Sequence, residues 1–112
     1  MDVVPTDSQE TAEPLDGVEL TQLVAGEAMS IQHFRIEPGA TVDIHDHHHE
    51  QLGYLIAGKL SFTADGEPVE VEPGDSYAIA SHEPHGVENS GEEPAIGIEI
   101  FSPPRPTPPW LE

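Results

Sequence analysis

An all-β fold, a sandwich or closed barrel of short strands, is what this sequence predicts. Three observations carry the prediction. Val and Ile recur in short runs, and twelve prolines and ten glycines are distributed along the 112 residues between those runs. No stretch reads as a long helix. The length fits one small domain, which buries roughly 60 to 70 percent of the surface its unfolded chain exposes.

Residues 1–17 are acidic and proline-containing, without the basic flank and apolar run of a signal peptide, and are expected to form a flexible arm. Residues 18–102 read as the barrel. Its expected strands are 18–24, 30–36, 41–45, 51–57, 60–64, 69–71, 76–80, 86–89 and 95–101. Pro38-Gly39, Asp65-Gly66, Pro73-Gly74-Asp75 and Ser90-Gly91 separate them and supply the backbone conformations of tight turns. Strands at this spacing point to a sandwich or closed barrel. Residues 103–112 are too proline-rich for a ladder strand. They are expected to run as polyproline II, a stiff strap across the barrel anchored by Trp110; a recognition motif for a proline-binding domain is the alternative.

Twenty-two acidic residues face three basic ones, Arg35, Lys59 and Arg105, for a formal charge of −19 with neutral histidines. Such a surface repels nucleic acid and anionic lipid, so neither is an expected partner. The acids are spread along the chain, unlike an acidic interaction tail. They fit a surface adapted to high salt, since in about 1 M salt the Debye length falls to roughly 3 Å and self-repulsion is screened. The expectation is a soluble, cytoplasmic protein of a salt-accumulating organism. No apolar segment approaches the ~20 residues of a membrane span. Cysteine is absent, which excludes disulfides and thiolate ligands without fixing the compartment.

The residues that carry chemistry are histidines. His45 and His47 are two apart, so an extended strand turns both to one side; a bend lets Gln51 return to that side. His85 follows Ser81-His82-Glu83-Pro84, whose proline fixes the approach of the chain, and is placed to supply a fourth ligand from a neighbouring strand. A histidine-rich run is also compatible with a solvated tract or adventitious metal binding. His33, His48, His49 and His82 are expected to be solvent-exposed or to stand behind the ligands.

Glycines bracket the cluster: Gly39, five residues, His45-x-His47, three residues, Gln51, six residues, Gly58. This frame resembles the first motif of the cupin family, and Gly74-Asp75 through His85 and Asn89 resembles the second. Gln51 stands where many cupins have Glu, and Ala80 and His82 stand where the second motif has Pro and Gly. The resemblance covers roughly residues 30–102. It implies a cupin-type jelly-roll β-barrel, a small-molecule substrate, a homodimer joined through edge strands, and His45, His47, Gln51 and His85 as ligands of a divalent metal inside the barrel. Mn, Fe, Ni, Zn and Co all suit such N and O donors. Neutral ligands leave the full dipositive charge on the ion, whereas a Glu would cancel one unit, so the site favours an anionic substrate.

Glu99-Ile100-Phe101-Ser102-Pro103-Pro104-Arg105 is similar to the end of small cupins of the pectin-degradation type, which convert unsaturated uronates to linear keto acids. On that resemblance Glu99 matches the acidic catalytic residue, there an Asp, Phe101 and Tyr54 line the substrate pocket, and Arg105 pairs with a sugar carboxylate as a second catalytic-site residue. Alternation gives Glu99 and Phe101 a shared face. The implied function is ring opening or isomerisation of an acidic sugar by a metal-dependent isomerase or lyase-like cupin. An iron-dependent dioxygenase and a non-catalytic sugar- or metal-binding module are the alternatives.

Overall fold

The computed structural model describes residues 1–64 and 66–105. Ten strands form among them: β1 (Thr11–Leu15), β2 (Val18–Ala25), β3 (Ser30–Ile36), β4 (Thr41–His45), β5 (Glu50–Ala57), β6 (Leu60–Ala64), β7 (Glu67–Val71), β8 (Ser76–Ile79), β9 (His85–Glu88) and β10 (Ala95–Ser102). A single 3-10 turn, Thr6–Ser8, precedes them. The strands build two antiparallel sheets, one of six in the order β1, β2, β3, β10, β5, β8 and one of four in the order β4, β9, β6, β7. From β3 onward the chain passes back and forth between the sheets except at the β6–β7 hairpin, the connectivity of the expected all-β jelly roll.

Period-two alternation sets the inside. Ser30, Gln32, Phe34 and Ile36 of β3 are buried while Ile31, His33 and Arg35 between them are half-exposed. In β5, Gln51, Gly53 and Leu55 turn inward and Leu52, Tyr54 and Ile56 outward. The core between the sheets holds Val18, Phe34, Ile36, Leu55, Leu60, Phe62, Val71, Ile79 and Ala95. Each large side chain so buried contributes about 1.5–3 kcal/mol.

Two features of the resemblance frame are structural supports. Gly58 has φ +83, and a Cβ there would meet the Pro94 carbonyl oxygen at 2.4 Å, so the turn from β5 to β6 packs against the start of β10 only with glycine. Asn89 is fully buried; its Nδ2 donates to the Ile36 and Glu93 carbonyls at 2.9 and 2.8 Å, and its Oδ1 accepts from Gly91 N–H at 2.9 Å. It ties three segments together.

The arm expected over residues 1–17 is corrected for part of its length. Thr11–Leu15 is a strand paired with β2, with Thr11 Oγ1 and Thr21 Oγ1 2.9 Å apart. Pro14 hid it, but an edge strand is bonded on one side only and accommodates a proline. Of the expected strap, residues 106–112, Trp110 included, lie outside the described residues.

Candidate metal centre

His45 ends β4 and sits directly across the sheet from His85, the first residue of β9. His47 lies in the loop that follows, and Gln51 faces inward from β5 on the opposing sheet. One ring nitrogen from each of the three histidines lies within 4.8 Å of the others, with ring centroids 4.5 to 5.7 Å apart. The four residues of the expected ligand set are thus brought together from β4, its loop, β5 and β9.

Backbone carbonyls fix how the rings present themselves. His45 Nδ1 donates to Asp43 O at 2.9 Å, His47 Nδ1 to His49 O at 3.0 Å and His85 Nδ1 to Glu83 O at 2.8 Å. A carbonyl only accepts, so each neutral ring carries its proton on Nδ1 and leaves Nε2 as a lone-pair donor. For His47 that lone pair meets Gln51 Oε1 at 3.0 Å, while the other end of the same amide donates to Glu99 Oε2. Two acceptors at 3.0 Å repel unless a proton or a cation lies between them. The donor set, three neutral imidazoles and an amide oxygen, therefore fits a divalent ion.

The loop carrying His47 is clasped by the one before β9. His82 N–H donates to His47 O at 2.7 Å and Ser81 Oγ to His48 O at 2.7 Å, while His82 Nδ1 reaches Asp46 Oδ1 at 3.3 Å. His82 has φ +63, the left-handed region that glycine adopts without strain. The departure noted in the second motif thus falls at a position that uses glycine's conformation, and the side chain added there makes the Asp46 contact. His82 and His48 are exposed as expected. His49 is half-buried, its ring centroid 6.1 Å from that of Phe101, and its Nδ1 is buried with no hydrogen-bond partner among the described residues.

Behind Gln51 stands Glu99. Its Oε2 accepts from Gln51 Nε2 and, at 3.0 Å, from Tyr77 Oη. Tyr77 reaches it by lying over Gly53, where a Cβ would be 2.0 Å from the ring. Arg105 closes the group: its backbone N–H donates to Ser30 Oγ at 2.7 Å, and its guanidinium lies 4.5 Å from the centre of the Phe101 ring. A cavity of about 390 Å³ runs from the histidines between the sheets; His45, His47, Gln51, Glu99, Phe101 and Arg105 all line it.

Tyr54 is the exception, and that expectation is corrected. It is 46 % exposed on the outer face of β5 and is not part of the lining. It stands three positions after Gln51, an odd offset, so a strand that turns Gln51 inward turns Tyr54 outward. Tyr77, which alternation places inward with Ile79, lines the cavity instead. Gln32 is also in the lining and was not singled out by its sequence, since no spacing marks a lone glutamine on a strand.

Electrostatics follow from burial. Burial lowers the pKa of His47 and His85 below the usual histidine range, with the neighbouring histidine charges adding to the effect, so both stay neutral and ready to ligate. His49 falls to about 4 through burial and then the charges of His48 and Arg105. Burial raises Glu99, opposed by the hydrogen bonds from Tyr77 and Gln51 and by the Arg105 charge. Tyr77 is pushed up by burial and by the Glu99 charge, and stays a phenol.

The cupin domain family matches residues 32–101, which spans both histidine segments and the strand bearing Glu99. The chain is a cupin. It is 31 % identical over 80 residues to the oxalate-binding protein of Thermotoga maritima, an alignment covering 66 % of each chain, and 33 % identical over 81 residues to the L-ectoine synthase of Bordetella petrii, covering 70 % of this chain and 60 % of that one. The matched region is thus no more than about two thirds of these relatives' length. Among solved structures, KdgF from Halomonas sp. superposes with a TM-score of 0.83 at 22 % identity, covering 92 % of this chain and 94 % of that one. The ectoine synthase of P. lautus superposes with a TM-score of 0.81 at 21 % identity, covering 93 % and 79 %. At these identities the structural likeness speaks for the fold. No helix among the described residues is long and apolar enough to cross a membrane.

Proposed function

We propose that this cupin is a metal-dependent enzyme acting on a small acidic sugar, by ring opening or isomerisation of an unsaturated uronate. The observation that carries the reading is Glu99: a carboxylate in the cavity wall, hydrogen-bonded to Gln51 of the donor set and facing the same space as Arg105. His45, His47, His85 and the Gln51 oxygen would hold a divalent ion. When bound, it supplies a Lewis acid that polarises a carbonyl or hydroxyl oxygen.

The chain's own residues do the rest. Arg105, held against Phe101, takes the sugar carboxylate through paired N–H donors. Glu99 moves the proton between oxygen and carbon as the ring opens. Burial favours its protonated form while Tyr77 and Gln51 favour its charged form, a balance suited to a group that must both give and take a proton. Tyr77, Phe62 and the apolar wall keep bulk water from the reacting atoms. Gln51 is neutral, yet its amide touches Glu99, so the charge compensation a Glu ligand would provide stands one residue further away. That the Thermotoga relative is an oxalate-binding protein supports a small anion as the ligand class.

The three-histidine donor set also favours a second reading, an iron-dependent dioxygenase. One screen separates the two: the metal-loaded protein with unsaturated uronates, with and without oxygen. Anaerobic loss of the substrate's ultraviolet absorbance is the expected result. Oxygen consumption selects the dioxygenase, and neither signal leaves a binding module.

A further inference from the structure

Across the inner face of the six-stranded sheet, register places one row of polar side chains. Gln22 of β2 lies opposite Gln32 of β3, Gln32 opposite Glu99 of β10, Glu99 opposite Gly53 of β5, and Gly53 opposite Tyr77 of β8. Directly opposed residues share a face, so the row is continuous over five strands. At one end it is satisfied, since Tyr77 crosses the gap left by Gly53 and bonds Glu99. The other end is not. Gln32 is 3 % exposed and turns toward the cavity that it lines. Both amide atoms of Gln22 are buried with no partner among the described residues.

Buried amides without partners oppose folding, and a leucine would fill nearly the same volume without that cost. One of them, Gln22, directly behind an amide that faces the cavity, Gln32, and next to the carboxylate of the site, points to a partner that arrives with the ligand. We propose that Gln32, backed by Gln22, is a hydroxyl-recognising subsite: its amide hydrogen-bonds a hydroxyl group of the ligand. An amide offers one donor end and one acceptor end, which suits a hydroxyl and discriminates little between charges. With one end on the ligand, Gln32 can turn the other to Gln22, because opposed Cβ atoms lie about 5 Å apart. The neighbouring lining, Val18, Leu20, Phe34 and Ile36, offers a hydroxyl nothing else. The ligand class is therefore a small polyhydroxylated anion, its charge toward Arg105 and a hydroxyl toward Gln32. This rests on the uronate reading for the identity of the probe and on the amides alone for the subsite.

The test uses metal-loaded full-length protein, with Gln32→Leu, Gln32→Met and Gln22→Leu. Thermal unfolding is followed without small molecules, and kcat and KM are measured for an unsaturated galacturonate and for its deoxy analogue lacking one hydroxyl. The expected result for both Gln32 variants is full metal content, an unfolding temperature equal to or above wild type, a KM raised roughly tenfold with kcat changed less, and loss of discrimination against the deoxy analogue. Gln22→Leu should raise the unfolding temperature with a smaller change in KM. A lower unfolding temperature in both Gln32 variants, or unchanged KM and discrimination, would overturn the proposal. If wild type neither binds nor turns over the uronate, the proposed function falls. The subsite is then judged by unfolding alone: a temperature equal to or above wild type in the Gln32 variants supports it and a drop overturns it.

Discussion

Four strands of the six-stranded sheet have two inner halves of opposite character. Toward one end of the barrel β2, β3, β5 and β10 turn in Val18 and Leu20, Phe34 and Ile36, Leu55, and Ala95; toward the other the same strands turn in Gln22, Gln32, Gln51 and Glu99. Backbone and register are continuous through both halves. The cavity reaches both halves, but the apolar half gives it only hydrophobic wall, while the polar half carries Gln51, Glu99 and Gln32 and leaves the Gln22 amide without a partner among the described residues. The difference teaches that one ladder of hydrogen bonds can carry a stabilising half and a half that costs stability for the sake of a ligand. Each half should be breakable without the other.

The largest expected effect is chemical. Glu99→Gln keeps the shape and the contact with Gln51 but removes the proton carrier; turnover should fall by on the order of 10² to 10⁴, with metal content and unfolding temperature near wild type. Retained turnover would sink its proton-transfer role. Leu55→Ala, at the fully buried centre of the other half, should lower the unfolding free energy by about 2–5 kcal/mol in chemical denaturation. Metal stoichiometry of the folded protein should not change; if it does, the halves are coupled. Gly53→Ala tests the seam: the new methyl displaces Tyr77, so kcat should drop because Glu99 loses its phenol partner, and Tyr77→Phe should reproduce that drop with less destabilisation.

A smaller effect is expected from pH. The pKa of His49 is lowered to about 4 by burial, against 6.5 in the unfolded chain. A histidine so depressed contributes full stability above 6.5, where both states are neutral. It loses stability as pH falls from 6.5 toward about 4, because the unfolded state takes up the proton first. The carboxylates titrate over part of the same range, so the measure is a difference: wild type should lose unfolding temperature relative to His49→Asn between pH 7 and 5. A constant difference would show that the ring is solvated.

Much of this division was legible in the sequence, for definite reasons. Short Val- and Ile-containing runs marked the strands, and the glycines at 39 and 74 between them fall at turns with positive φ. The His45, His47, Gln51 and His85 set was legible because ligand geometry imposes spacing. β1 was not, since one-sided pairing tolerates Pro14 and imposes little pattern. Tyr77 and Gln32 were not, because their partners lie across the sheet and only register brings them together. Tyr54 shows the converse, a residue type suited to a pocket on the wrong parity of its strand.

The measurement that tests the account most directly is a titration of metal-free protein with zinc, followed by calorimetry and elemental analysis, in wild type and His85→Ala. The account predicts one ion per chain in wild type and no stoichiometric binding in a folded His85→Ala. Equal binding in the two proteins, or none in wild type, would contradict it.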